Sequence, residues 1–144
     1  MHLTIDGFGG DRELLSSETL VRSLLDRFPA AISMTKISEP HVQLYVGDKP
    51  DDWGVSGFVI IAESHIAVHT FPERGYVWVD IFSCKEFAAP QAVDIVIDEF
   101  DLTHVKQDTH ERGLEYPHLI DLATPVNRIE RREVAGALAG ADGH

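Results

Sequence analysis

The chain reads as an α+β protein, a two-layer sandwich of an antiparallel sheet with two main helices on one face. Two segments with helical apolar spacing are separated by short β-like segments, and the latter follow one another in meander order with turn residues between them. The 144 residues, 44% of them hydrophobic, suffice for one domain with a real core.

Residues 2–8 set Leu3, Ile5 and Gly7 against Thr4, Asp6 and Phe8, a strand-like alternation that Gly9-Gly10 breaks. From Ser17 the residues Leu20, Val21, Leu24, Leu25 and Phe28 recur at helical spacing, with Ser17 as N-cap and Pro29 as stop. Segments 30–38 and 41–46, rich in Ile, Val, Thr and Tyr, predict two strands joined tightly at Glu39-Pro40. Gly47 to Asp52 is a polar loop by composition. The apolar segments 55–62, 65–71 and 76–83 then predict consecutive antiparallel strands, punctuated by Glu63-Ser64 and by Pro72-Glu73-Arg74-Gly75. After Pro90, which suits a first turn, Val93, Val96, Ile97 and Phe100 share one helical face. Residues 102–108 predict a last strand, and clear periodicity ends at Pro117. This divides the chain into one domain over residues 1–117 and a partly flexible C-terminal extension over residues 118–144.

The central strands read as apolar on both sides, so the face away from the helices also needs cover, and a second protomer in a homodimer supplies it. Twenty-four acidic against twelve basic residues give a formal charge of −12, which repels phosphate backbones and argues against nucleic acid as a partner. The first residues enter a strand pattern without a leader-like apolar region, and the run Phe58 to Ala62 is far too short to span a bilayer. A cytoplasmic protein without a membrane partner is expected. With one cysteine, Cys84, neither an internal disulfide framework nor a multi-cysteine zinc site can form.

Ser64 lies between two predicted strands, where a bend sets its hydroxyl beside the Glu63 carbonyl and attack could convert amide to ester. A base must then remove the serine α-hydrogen. Strand alternation puts His65, Ala67 and His69 on one side and Ser64, Ile66 and Val68 on the other, so position does not choose between the histidines. Two histidines at this spacing meet on a helix but stand about 13 Å apart on a strand, which argues against a metal pair. Ser56 between glycines serves equally well to bend a strand, and a lone cysteine after apolar residues is ordinarily a small buried hydrophobe.

The run from Ser56 to Glu73, containing Ala62-Glu63-Ser64-His65 and His69-Thr70-Phe71-Pro72-Glu73, is followed by Asp80-Ile81-Phe82-Ser83-Cys84. Together these segments resemble the prokaryotic S-adenosylmethionine decarboxylase family, with a weaker echo in His2-Leu3 and His110-Glu111-Arg112-Gly113. The resemblance implies a proenzyme that cuts itself between Glu63 and Ser64 into a β-chain, residues 1–63, and an α-chain, residues 64–144. Ser64 becomes a pyruvoyl group that forms a Schiff base with the substrate, and neither a metal nor pyridoxal phosphate is needed. By the same resemblance His69 is the processing base, Ser56 steadies the tetrahedral intermediate, and Cys84 returns the proton after carbon dioxide leaves.

Glu73 matches the family glutamate that binds the ribose hydroxyls, which favours S-adenosylmethionine and a place in spermidine synthesis. The family's adenine-stacking aromatic falls near Pro50 here, leaving Trp53, Tyr45 or Phe8 to supply the ring. Asp48, Asp51 and Asp52 suit a cationic side chain instead, so a pyruvoyl-dependent arginine or ornithine decarboxylase is the alternative. A non-processing regulatory or scaffold homologue is the third possibility.

Overall fold

The structure, a computed structural model, describes residues 1–112. The boundary expected after Pro117 and the extension 118–144 lie outside the described residues.

Seven strands form one antiparallel sheet: β1 (His2–Phe8), β2 (Thr35–Lys36), β3 (His41–Val46), β4 (Trp53–Ala62), β5 (Ser64–Phe71), β6 (Tyr76–Ser83) and β7 (His104–His110). The spatial order is β2-β4-β5-β6-β1-β7, with β3 pairing the same edge of β4 as β2. The helices are α1 (Arg12–Leu15), α2 (Glu18–Ala31) and α3 (Ala89–Phe100).

Period-two burial gives the sheet two different faces. Val55, Val59 and Ile61 of β4, Ile66 and Val68 of β5, and Val77, Val79 and Ile81 of β6 are all buried. They pack with Val21, Leu24, Leu25 and Phe28 of α2 and with Ala92, Val93, Val96 and Phe100 of α3 in one core. Each fully buried side chain of this size contributes about 1.5–3 kcal/mol relative to exposure, which sets the strand register firmly. The two-layer α+β sandwich is thus the observed architecture.

Several element boundaries differ from the sequence expectation. Pro29 does not stop α2; it sits inside the helix, buried, and its carbonyl accepts from Ile32 and Met34 as the last turn closes. One missing N–H this close to a helix end is easily tolerated when the residue is also packed in the core. The segment 30–38 is therefore largely helix end and turn, with Ser33 at a φ of 62°, and only Thr35–Lys36 pairs with β4. The short helix α1 has no apolar period to reveal it and is set by Asp11, whose carboxylate accepts from Glu13 and Leu14 N–H. The last strand lies two residues later than expected, because Asp101 ends α3 at a φ of 51° and Leu102 still serves the core.

The outer sheet face is a mixed one, a correction to the view that the central strands are apolar on both sides. It carries His65, Ala67, His69 and Phe71 of β5 beside Tyr76, Trp78, Asp80 and Phe82 of β6. Trp78 is 47% exposed, Phe58 44% and Ile60 43%, so much aromatic and aliphatic surface on this face is open.

Candidate active site

Ser64 opens β5 immediately after the turn from β4, opposite Ile61 on one side and Ser83 on the other. Its φ of 112° is a conformation that L-residues with a side chain rarely adopt. Its hydroxyl lies 3.4 Å from His65 Nδ1. Across the ladder Ser83 is fully buried; its Oγ donates to the Met34 sulfur and accepts from Lys85 N–H at 3.0 Å. That bond turns the chain at the end of β6 and leaves Cys84 exposed, contrary to the ordinary burial of a lone cysteine. The exposed thiol thus follows directly on the cross-strand partner of Ser64.

Ser56 and His69 face one another across β4 and β5, with His69 Nδ1 and Ser56 Oγ 2.9 Å apart. Thr70 braces this register. It is buried, and its hydroxyl accepts from Val55 N–H at 2.9 Å and donates to the Val55 carbonyl at 3.3 Å. Gly54, one residue further, must lack a side chain because a Cβ there would strike the Thr70 carbonyl. Nothing in the periodicity of the sequence singles out Thr70, whose hydroxyl is simply half of a strand brace.

His69 is five residues from Ser64 on one strand, a span of about 17 Å at 3.4 Å per residue. One chain therefore pairs Ser56 with His69 and sets Cys84 one residue past the cross-strand partner of Ser64, with the two sets toward opposite ends of β5. Hollows of about 240, 210 and 390 Å³ adjoin His69 on the outer face. The first is lined by the aromatic rings of Tyr45, Trp53, Phe71 and Trp78 together with Ser56, His69 and Asp52. Phe71 and Trp78 were not anticipated as site residues, although alternation from His69 reaches Phe71 directly. Phe8 is not among those lining it and packs against Tyr76, ring centroids 4.8 Å apart.

Glu73 lies in the single turn Pro72–Arg74, which Gly75 closes at a φ of 59°. Its Oε1 accepts from Arg12 Nη2 at 2.5 Å and from Trp53 Nε1 at 3.2 Å. The hydrogen bond from Arg12 holds the Glu73 carboxyl below the ordinary carboxylate range, and the Trp53 N–H adds to this. Asp51 meets Arg74 at 3.5 Å. Among the described residues no three His, Cys, Asp or Glu side chains are grouped to hold a metal ion, and no helix is long and apolar enough to cross a membrane.

An antiparallel sheet backed by helices thus carries a strained serine at a hairpin and an exposed thiol one residue past that serine's cross-strand partner. A family model described as S-adenosylmethionine decarboxylase matches residues 1–113. The S-adenosylmethionine decarboxylase proenzyme of Pyrococcus furiosus is 33% identical over 115 residues, covering 79% of this chain and 78% of that one. The proenzyme of the same name from Thermococcus onnurineus is 31% identical over 137 residues, covering 91% and 92%. The crystal structure of the adenosylmethionine decarboxylase from Aquifex aeolicus superposes with a TM-score of 0.67 at 31% identity, covering 78% of this chain and 89% of that one. By class the chain is a carboxy-lyase. It belongs to the S-adenosylmethionine decarboxylase family.

Proposed function

We propose that the chain is a proenzyme that cleaves itself between Glu63 and Ser64, turns Ser64 into a pyruvoyl group and decarboxylates S-adenosylmethionine. The product would be the aminopropyl donor for spermidine synthesis, and the processed chains would be residues 1–63 and 64–144. The conformation of Ser64 carries the proposal: a φ of 112° at a hairpin, next to the strand end that bears an exposed thiol. Strained backbone of this kind costs of order 1–3 kcal/mol and gathers at functional sites. The residues also suit a group formed at position 64, because Ser83 is its cross-strand partner and Cys84 follows in the open.

In processing, Ser64 Oγ adds to the Glu63 carbonyl carbon and gives up its proton, the peptide C–N bond breaks, and the Ser64 nitrogen takes up a proton to become a free amine. The Ser56 hydroxyl suits stabilisation of the oxyanion, and His69 suits removal of the Ser64 α-hydrogen. Loss of that hydrogen expels the Glu63 carboxylate from the Ser64 Cβ, and water then replaces the amine nitrogen as ammonia leaves. The resulting ketone supplies an electron sink for the departing substrate carboxylate, as pyridoxal phosphate does elsewhere. Cys84 holds a proton at Sγ for return to the substrate carbon. Glu73 accepts from the ribose hydroxyls, and Trp53 offers the stacking face that position 50 lacks. Asp51 already faces Arg74, and the hollow that Asp52 helps to line carries four aromatic rings, which favours a nucleoside over an arginine or ornithine side chain.

The working unit is proposed to be a homodimer. The separation of about 17 Å between Ser64 and His69 is too great for direct proton transfer within one chain, whereas a proton donor and acceptor must come within hydrogen-bond reach. A twofold apposition of two outer faces would lay the Ser64–Cys84 end of one copy over the Ser56–His69 pair of the other, and would cover Phe58, Ile60 and Trp78.

The purified protein should separate into the two chains on denaturing mass spectrometry, with the second beginning in a ketone. Carbon dioxide release should be seen with S-adenosylmethionine and not with arginine or ornithine assayed in parallel. Activity confined to the amino acids would overturn the substrate, and a fully active unbroken chain would overturn the mechanism.

A further inference from the structure

Arg12 has no part in the chemistry proposed so far, yet it stands where the nucleoside would be read. Its guanidinium and the Trp53 indole N–H converge on one oxygen of Glu73, Oε1, while Oε2 takes no hydrogen bond among the described residues. The guanidinium also lies over the Trp53 ring, 5.5 Å from its centroid, so the same side chain steadies the carboxylate and the aromatic face. The backbone holds this arrangement in place: Gly10 N–H donates to the Gly75 carbonyl at 3.0 Å, which ties the approach to α1 to the turn bearing Glu73. Arg12 is 60% exposed and Glu73 32%, and an open ion pair of this kind adds little to folding stability. Its effect is felt in orientation.

We propose that Arg12 is a positioning residue for nucleoside recognition, which with Trp53 clamps one oxygen of Glu73 so that the other is presented to the two ribose hydroxyls. This rests on Glu73 being the ribose-binding group of the function proposed above. A carboxylate held by one oxygen keeps the full acceptor capacity of the other, and the flat guanidinium, lying over the Trp53 ring while one N–H reaches Oε1, is held in place in a way a compact ammonium is not. Without Arg12 the carboxylate would turn about its own bonds.

The test compares Arg12→Ala, Arg12→Lys, Glu73→Gln and the Arg12→Ala/Glu73→Gln double variant with wild type, after processing of each is confirmed by mass. Arg12→Ala should raise KM for S-adenosylmethionine about tenfold, the loss of one charge-assisted hydrogen bond, with kcat within about twofold. Arg12→Lys should recover only part of this. Adding Arg12→Ala to Glu73→Gln should change KM little, since the clamp then has nothing charged to hold. A substrate analogue whose ribose lacks both hydroxyls should bind wild type and Arg12→Ala alike. Because Arg12 keeps Glu73 ionised to lower pH, the acid rise in KM should begin at higher pH in Arg12→Ala. If wild type turns over S-adenosylmethionine but Arg12→Ala leaves KM unchanged, or raises it equally for the analogue, the positioning role is wrong while the proposed function stands. If wild type does not turn over S-adenosylmethionine at all, the proposed function falls first.

Discussion

The proposed chemistry places two demands on Ser64, to break its own backbone and then to lie near a proton donor, and both depend on where its neighbours stand. The hydroxyl must reach a carbonyl one residue back, which ordinary extended backbone does not favour and a φ of 112° can serve. Ser64→Ala removes the attacking oxygen, so denaturing gels should show only the uncut chain and no carbon dioxide should be released. Cys84 stands apart from the processing pair, so Cys84→Ala should still cleave at least partly. Its turnover should fall by about a hundredfold or more, the usual size of a lost acid–base group. Full turnover by Cys84→Ala would remove the cysteine from the mechanism. The sequence marked these side chains by their company, Glu63-Ser64-His65 and a cysteine after Asp80-Ile81-Phe82-Ser83. It held no sign of Arg12, because an arginine in a short polar stretch gives no hint of the carboxylate it meets 61 positions away.

The β4–β5 hairpin aligns Ser56 with His69, the proposed processing pair, through a buried threonine. Thr70 holds both the N–H and the carbonyl of Val55, and Ser56 and His69 are the next pair along the ladder. Thr70→Val keeps the shape but leaves a buried N–H unpaired, at a cost of about 1–3 kcal/mol. Chemical denaturation should read that loss, and self-cleavage should slow in the same variant; a variant that lost stability but cleaved at the wild-type rate would separate the brace from the processing pair. The main strands were legible because inner and outer residues alternate over six or more positions. Short elements were not: α1 offers four residues and β2 two, too few for any period to show. Pro29 misled because a local rule about proline was outweighed by core packing at Phe28 and Ile32.

The proposed homodimer would complete its site from two copies, and this has a direct test in mixed expression. Ser64→Ala retains His69, and His69→Ala retains Ser64, so neither should process alone. Expressed together, a mixed dimer joins the intact Ser64 of one chain to the intact His69 of the other, and the chain carrying His69→Ala should be cut. Absence of any cut chain in a mixture shown to contain mixed dimers would confine the site to one protomer. Trp78→Asp, at an exposed aromatic on the same face, should shift the protein to monomer in sedimentation and lower cleavage with it.

Alternation, helical spacing and one dense run of residues between Ser56 and Cys84 were enough to indicate a helix-backed antiparallel sheet and a family, and to nominate the side chains of the proposed chemistry. Those are local properties, written in the order of neighbours along the chain. The pairing of Ser56 with His69, the exposure of Cys84 and the meeting of Arg12, Trp53 and Glu73 required the folded chain. Each depends on strands and turns far apart in sequence being brought side by side, and which ones meet is settled by packing of the shared core.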